Sequence, residues 1–104
     1  MTKSSSFKEY QLADMTGGWF IGDFEPSILR SAEFEVAIKK YNKGDYEKEH
    51  YHKRATEITV MVAGEAEVSG CLIREGQIMV IKPNTPVDFK ALTDVTTCVV
   101  KTPS

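Results

Sequence analysis

Turn-forming residues divide the chain from residue 42 onward into segments too short for ordinary helices, and this spacing constrains the fold more than any other feature. The turn signals are Asn42-Lys43-Gly44-Asp45, Gly64, Gly70, Glu75-Gly76 and Pro83-Asn84-Thr85-Pro86. The stretches between them are mostly rich in β-branched residues, which favour strands. Short strands at this spacing are typical of a sandwich or barrel, so the sequence predicts an all-β fold.

The first half of the chain adds two strand candidates. One surrounds Trp19, between Gly18 and Gly22, and the other runs from Glu33 to Tyr41. The second candidate alternates, with Phe34, Val36 and Ile38 on one face and Glu33, Glu35 and Lys39 on the other. Only the stretch 26–32 has helical character, and it is short.

The strand candidate from Glu57 to Val62 is apolar on both faces. Its first face carries Glu57, Thr59 and Met61, and its second face carries Ile58, Val60 and Val62. Because an exposed antiparallel sheet shows a polar outer face, we expect both faces to be covered. The second cover is another sheet, the segment around Trp19 or a partner subunit.

Length and composition fit one soluble domain over residues 1–104, with residues 1–6 as a flexible N-terminus. The hydrophobic fraction is 41% and the charged fraction 27%, as in ordinary globular proteins. Such a short chain buries a small core, and subunit association would bury more surface. The net charge of −2 gives no reason to expect binding to nucleic acid or to an anionic membrane surface.

Three further observations favour a cytoplasmic protein. No apolar run approaches the roughly 20 residues that span a membrane. The first residues lack the apolar region of a secretory signal. Cys71 and Cys98 match no zinc or redox spacing, so we expect two reduced and mostly buried thiols.

The two histidines of the chain lie in a pattern that suits a metal ion. His50 and His52 are two residues apart, so on a strand both point to one side, about 6–7 Å apart. Glu57 follows after four residues, which fits a turn into a neighbouring antiparallel strand. Two imidazoles and one carboxylate form the ligand set of the facial triad, which leaves positions open for water, substrate or oxygen. The competing interpretation is a solvated, charged strand with no metal.

Strand parity also predicts the surroundings of these ligands. Tyr46 shares parity with His50, and Met61 and Thr59 are in phase with Glu57, so these three are candidates for the pocket lining. Glu47 and Glu49 have the opposite parity from the histidines and are predicted to face solvent.

The spacing resembles the first motif of the cupins, in which a glycine precedes His-x-His, a glutamate and a second glycine. Gly44, His50, His52, Glu57 and Gly64 match that motif position for position. The second cupin motif is degraded. Gly76 and Pro83 fit it, but Thr85 replaces a glycine, Asp88 stands in place of the histidine and Leu92 replaces an asparagine.

This resemblance implies a double-stranded β-helix, a jelly-roll barrel with the metal inside it, and a homodimer. The ion would be iron, manganese, zinc or nickel. Asp88 has three possible roles: a fourth ligand, a group that orients a bound water or acts as a base, or a strand-edge residue without a role.

Cupins host many activities, so the fold does not decide the function. The leading hypothesis is a metal-dependent small-molecule enzyme or binding protein, with dioxygenase or isomerase chemistry if it is an enzyme. The alternatives are a non-enzymatic binding or sensor module and a metal-free structural dimer. A sugar-nucleotide isomerase or epimerase is a weaker alternative, because both histidines belong to the metal pattern.

Overall fold

The computed structural model describes residues 7–103. Within them the chain forms two single-turn 3-10 helices, at Leu12–Asp14 and Thr16–Gly18, followed by antiparallel strands. The strands are β1 (Trp19–Ile21), β2 (Glu35–Tyr41), β3 (Tyr46–His50), β4 (Thr56–Ala63), β5 (Glu65–Val68), β6 (Cys71–Arg74), β7 (Ile78–Ile81), β8 (Val87–Ala91) and β9 (Val95–Thr102). The prediction of an all-β fold is confirmed.

The strands form two sheets that lie face to face. The larger sheet has the order β1-β2-β9-β4-β7, and the smaller sheet has the order β3-β8-β5-β6. This is the predicted double-stranded β-helix arrangement, although the two sheets are not closed into a continuous barrel. Among the described residues, no named strand of one sheet pairs with a strand of the other. The edge strands have only three to five residues, and ladder pairing stops at such short edges.

One glycine lets the chain cross between the sheets. Gly64 separates β4 from β5 with φ +91, a conformation that side-chain-bearing residues rarely adopt. A Cβ at this position would overlap the backbone carbonyl oxygen of Asp94. The second glycine of the motif is therefore required by both its dihedral angle and its close packing.

The core lies between the sheets at the end nearest Gly64. Its buried residues are Met61, Ala66, Val68, Phe89, Ala91 and Val95. The Tyr41 ring packs on Phe89 with a centroid distance of 4.5 Å. The other end of the space between the sheets is less densely filled and holds a cavity.

The face of the larger sheet that points away from the core is apolar and only partly covered. On β4, Val62 is 50% exposed, and on the adjacent strand β7, Ile78 and Val80 are 63% and 61% exposed. The inner face of β4 is covered by the smaller sheet, as expected. Its outer face lacks a complete cover from the residues between 7 and 103.

The described part of the chain has no helix long and apolar enough to cross a membrane. Both cysteines are free, but the prediction that both are mostly buried is wrong for Cys71, which is exposed. Cys71 lies on the edge strand β6, where a small side chain has little to pack against.

Candidate metal centre and cavity

A cavity of about 180 Å³ opens between the sheets beside the core. The larger sheet lines it with Trp19, Lys39, Tyr41, Glu57, Thr59, Met79, Ile81, Thr97, Val99 and Lys101. The smaller sheet lines it with Glu47, His50, Val68, Val87, Asp88 and Phe89, and His52 lines it from the loop after β3. All four predicted ligands therefore face one cavity.

His52 and Glu57 meet at the cavity wall. The distance from His52 Nε2 to Glu57 Oε1 is 3.3 Å, and both side chains are half-buried. The Thr59 hydroxyl donates a 2.9 Å hydrogen bond to Glu57 Oε2. Because Thr59 is two residues along β4 and almost fully buried, it holds the glutamate in a fixed orientation.

His50 lies beside this pair but faces more solvent. Its Nδ1 is 3.1 Å from the Lys48 carbonyl oxygen, and its ring is edge-to-face with His52 at a centroid distance of 5.5 Å. A carbonyl only accepts, so His50 Nδ1 carries the proton in this contact. His50 Nε2 is then left with a lone pair, as a metal ligand requires.

The side chains fit a divalent ion in part. Two ligand atoms that each lie about 2.1 Å from one ion are about 3.0–3.4 Å apart, which matches the His52–Glu57 distance of 3.3 Å. Within residues 7–103, however, no three His, Cys, Asp or Glu side chains are gathered as a ready metal site. His52 and Glu57 fit as they stand, and His50 would have to move closer to complete the set.

Asp88 is engaged in other interactions. Its Oδ1 accepts a 2.9 Å hydrogen bond from the Ser69 backbone N–H, and its Oδ2 accepts a 3.0 Å hydrogen bond from the Tyr46 hydroxyl. The bond to Asp88 raises the pKa of Tyr46 above its ordinary value. Asp88 thus lines the cavity while it fastens β8 to β3 and to the turn after β5.

The prediction that Glu47 faces solvent is wrong, because a β-bulge changes the parity of β3. Glu47 pairs with Phe89 and His50 pairs with Val87, so two residues of β3 between these pairs lie opposite one residue of β8. The extra residue turns both Glu47 and His50 toward the cavity. Glu49 is exposed, as predicted.

Glu47 belongs to a hydrogen-bonded cluster at the cavity wall, which we call the Lys39 cluster (Lys39, Tyr41 and Glu47). The Lys39 ammonium donates to Glu47 Oε2 at 2.8 Å, and the Tyr41 hydroxyl donates to the same oxygen at 3.3 Å. Burial raises the pKa of Tyr41. Burial lowers the pKa of Lys39, but the hydrogen bonds and charges of Glu47 and Tyr41 together outweigh it and the net shift is upward.

A second lysine, Lys101, lies next to the predicted ligands. In strand register it is flanked by Glu35 on β2 and Glu57 on β4. Its Nζ is 2.9 Å from Glu35 Oε1 and lies 4.9 Å from the centroid of the Trp19 ring. Neither lysine was predicted as a site residue, although the alternation of β2 already placed Glu35 and Lys39 on one face.

The three predicted lining residues have different positions. Thr59 lines the cavity. Met61 is fully buried in the core beyond the cavity. Tyr46 is 57% exposed and is not part of the cavity wall, because the bulge separates its parity from that of His50.

Solved structures with the same fold are similar to this chain. A double-stranded β-helix protein from Klebsiella pneumoniae matches with a TM-score of 0.70 and 16% identity, over 99% of this chain and 90% of that one. An RmlC-like cupin from Shewanella frigidimarina matches with a TM-score of 0.65 and 19% identity, over 70% of this chain and 68% of that one.

A third similar structure is Bacillus subtilis oxalate decarboxylase, which has Mn(II) centres. Its TM-score is 0.62 at 22% identity, over 70% of this chain and 22% of that one. No protein-family model and no curated protein sequence matches this chain. At these identities the structural likeness shows the fold alone, which is that of the small cupins.

Proposed function

Because the chain has the fold of the small cupins, we propose that it is a metal-dependent small-molecule protein with its ion in the cavity between the sheets. His50, His52 and Glu57 would hold the ion. The observation that carries this proposal is the 3.3 Å contact between His52 Nε2 and Glu57 Oε1 inside that cavity. A bound divalent ion would polarise an oxygen atom of the ligand.

The charges of the wall support a cation at this place. Lys39 pairs with Glu47, and Lys101 pairs with Glu35. Glu57 adds a further carboxylate, which contacts His52 and Thr59. A half-buried carboxylate is costly unless a cation compensates it, and an ion at Glu57 would do so.

The proposed set has three protein ligands. Asp88 as a fourth ligand would have to give up its hydrogen bonds from Ser69 and Tyr46, so we assign it to orienting the strands and a cavity water instead. Three protein ligands leave positions open on the ion, as catalytic sites require. Manganese is one candidate ion, since the similar oxalate decarboxylase has Mn(II) centres. Iron, zinc and nickel are the others.

Metal analysis of protein purified without a histidine tag tests this proposal. After incubation with manganese, iron, zinc or nickel and removal of free ion, we expect about one ion per chain, with loss in His52→Ala and Glu57→Gln. Glu49→Gln is the matched control, because that carboxylate lies on β3 but is exposed. Wild-type protein that retains none of the four ions would overturn the proposal.

A metal-free binding module is the second candidate function. One observation in its favour is that Asp88, in the position of the second-motif histidine, is already hydrogen-bonded to Ser69 and Tyr46. Another is that no three ligating side chains lie close together among residues 7–103. This candidate predicts that a small molecule binds equally well before and after treatment with a chelator.

We also propose that two copies of the chain pair through the outer face of the larger sheet. Two rows of apolar side chains run straight across four strands in register. The first row is Val36, Val100, Ile58 and Val80, and the second row is Ile38, Cys98, Val60 and Ile78. Neither row contains a charge.

A second copy is the partner that fits this face. Two uncharged, flat sheet faces pack on each other without burying an unpaired charge. The rows form one contiguous apolar face, and monomers rarely expose contiguous apolar patches larger than a few hundred Å². An apolar groove lined by Tyr10, Leu12, Met15, Phe20, Ile28 and Ile38 continues the patch. A standard interface buries roughly 800 Å² per partner, so the proposed pairing would use the groove as well as the two rows.

A further inference from the structure

The inner face of the larger sheet has two polar rows with a less polar row between them. The first polar row is Glu35, Lys101 and Glu57, the middle row is Ala37, Val99 and Thr59, and the second polar row begins with Lys39 and Thr97. Lys39 and Glu57 are four residues apart along the strand direction in this register, or about 13 Å at the backbone. The cavity therefore has a polar group at each end.

The Lys39 cluster is not explained by packing alone. An ion pair that is partly removed from water gains little stability, because the cost of desolvation offsets the attraction. Lys39 and Glu47 keep only 26% and 34% of their side-chain surface exposed, beside apolar neighbours such as Phe89 and Val99. Converging polar groups in an otherwise apolar wall are typical of a ligand site.

The cluster offers donors to a ligand. The Lys39 ammonium has three N–H donors, and Glu47 occupies one of them. The Tyr41 hydroxyl is a further donor at the same wall, with its 3.3 Å bond to Glu47 long enough to be exchanged. A carboxylate accepts from both kinds of donor, with bonds stronger than those between neutral groups.

The cavity limits the size of the ligand. A cavity of about 150 Å³ takes a molecule the size of benzene, so the present volume of about 180 Å³ suits about six to ten non-hydrogen atoms. A molecule of that size that reaches both polar ends is a short chain rather than a sugar nucleotide.

We propose that the Lys39 cluster is a second binding group of the cavity, and that the ligand is a short-chain acid. Its carboxylate meets Lys39 and Tyr41, and a second oxygen-bearing group meets the His52–Glu57 end. The assignment of the far end rests on the function proposed above. The assignment of the carboxylate end rests on the cluster and the cavity.

Calorimetric titration with succinate tests this inference, with succinamide as a neutral molecule of the same shape. We expect wild-type protein to bind succinate more tightly than succinamide. Tyr41→Phe and Lys39→Met should each weaken succinate binding about tenfold, the loss expected for one hydrogen bond to a charged group. Both should weaken succinamide binding less than succinate binding, because an amide oxygen is a weaker acceptor than a carboxylate, and both should leave metal content unchanged.

The matched control is Tyr46→Phe, because that hydroxyl bonds Asp88 on the exposed side of β3. Tyr41→Phe keeps the aromatic ring that packs on Phe89, so this variant should fold. The test therefore remains possible even if Lys39→Met fails to fold. Equal affinity for succinate and succinamide overturns the inference. The inference is also overturned if Tyr41→Phe binds succinate as tightly as wild-type protein does, or if none of oxalate, succinate and adipate binds.

The same variants separate this inference from the metal proposal. If wild-type protein retains no ion but its succinate binding depends on Tyr41, the metal proposal fails and the carboxylate site stands. If wild-type protein retains one ion and succinate binding is independent of Tyr41 and Lys39, the metal proposal stands and the carboxylate site fails.

Discussion

At the scale of single residues, the spacing of the first motif carried most of the information about the site. It predicted that His50, His52 and Glu57 approach one another, and all three line one cavity. It could not predict Thr59 as the partner of Glu57, because a hydroxyl two residues away has no distinctive sequence signal. The degraded second motif left three roles open for Asp88, and its two hydrogen bonds favour an orienting role.

Asp88→Asn separates these roles. If Asp88 is an orienting residue, the variant should keep the metal content of wild-type protein. It should lose about 1–2 kcal/mol of unfolding free energy, because an amide oxygen replaces only one of the two acceptors that Ser69 and Tyr46 use. Denaturant unfolding and metal analysis of one preparation give both values. Loss of the ion from a folded variant would show that Asp88 is a ligand.

The raised pKa of Tyr41 predicts that the protein loses stability at high pH. Burial raises its pKa above the ordinary value of 10.0, so the unfolded chain gives up this proton first as pH rises. Stability is therefore fully present below about pH 10 and falls as pH rises toward the folded-state pKa. Lys39, also with a raised pKa, acts in the same direction.

In the Tyr41→Phe variant this fall should be shallower, because one of the groups with a raised pKa is removed. The measurement is the urea midpoint between about pH 9 and 11 for both proteins. Tyr10→Phe is the control, since Tyr10 is 58% exposed. Parallel curves for wild type and Tyr41→Phe would contradict the burial of this hydroxyl.

At the scale of elements, the alternation of β2 was predicted and its orientation was not. Its charged residues Glu35 and Lys39 belong to the inner face, while Val36 and Ile38 belong to the outer face. The apolar face of a strand usually points inward, but here the polar face lines the cavity and the apolar face is outside. Sequence periodicity shows that the two faces differ, but not which one is inside. The bulge in β3 could not be predicted from the sequence either, because it depends on how β3 pairs with β8.

The helical character of residues 26–32 was also misleading. In the structure Leu29 forms a parallel bridge with Ile21, and the stretch contains no helix. The segment is too short to form a stable helix alone, and its pairing with β1 overrides the local preference.

Gly64→Ala tests the crossing between the sheets. The methyl group would overlap the Asp94 carbonyl, and φ +91 is strained for alanine, so we expect a loss of about 3 kcal/mol or more in unfolding free energy. Gly70→Ala is the control. Its φ is +82 but nothing lies within 4 Å of a Cβ there, so about 1–2 kcal/mol is expected. Equal losses in the two variants would show that the close packing at Gly64 is unimportant.

At the scale of the whole molecule, the outer face of the larger sheet should determine the oligomeric state. Ile78→Lys or Val80→Lys would bury an unpaired charge in the proposed interface. Light scattering after size exclusion should give twice the chain mass for wild type and the single-chain mass for either variant. Leu72→Lys, at a 44% exposed position on β6, should remain dimeric. A monomeric wild-type protein at all concentrations would contradict the proposed pairing.

The central claim is that His50, His52 and Glu57 bind one ion, and pulsed electron paramagnetic resonance of Mn(II)-loaded protein tests it most directly. The claim predicts magnetic coupling to two imidazole nitrogens in wild type and to one in His50→Ala. Bound manganese without any imidazole coupling would contradict it and place the ion elsewhere on the chain.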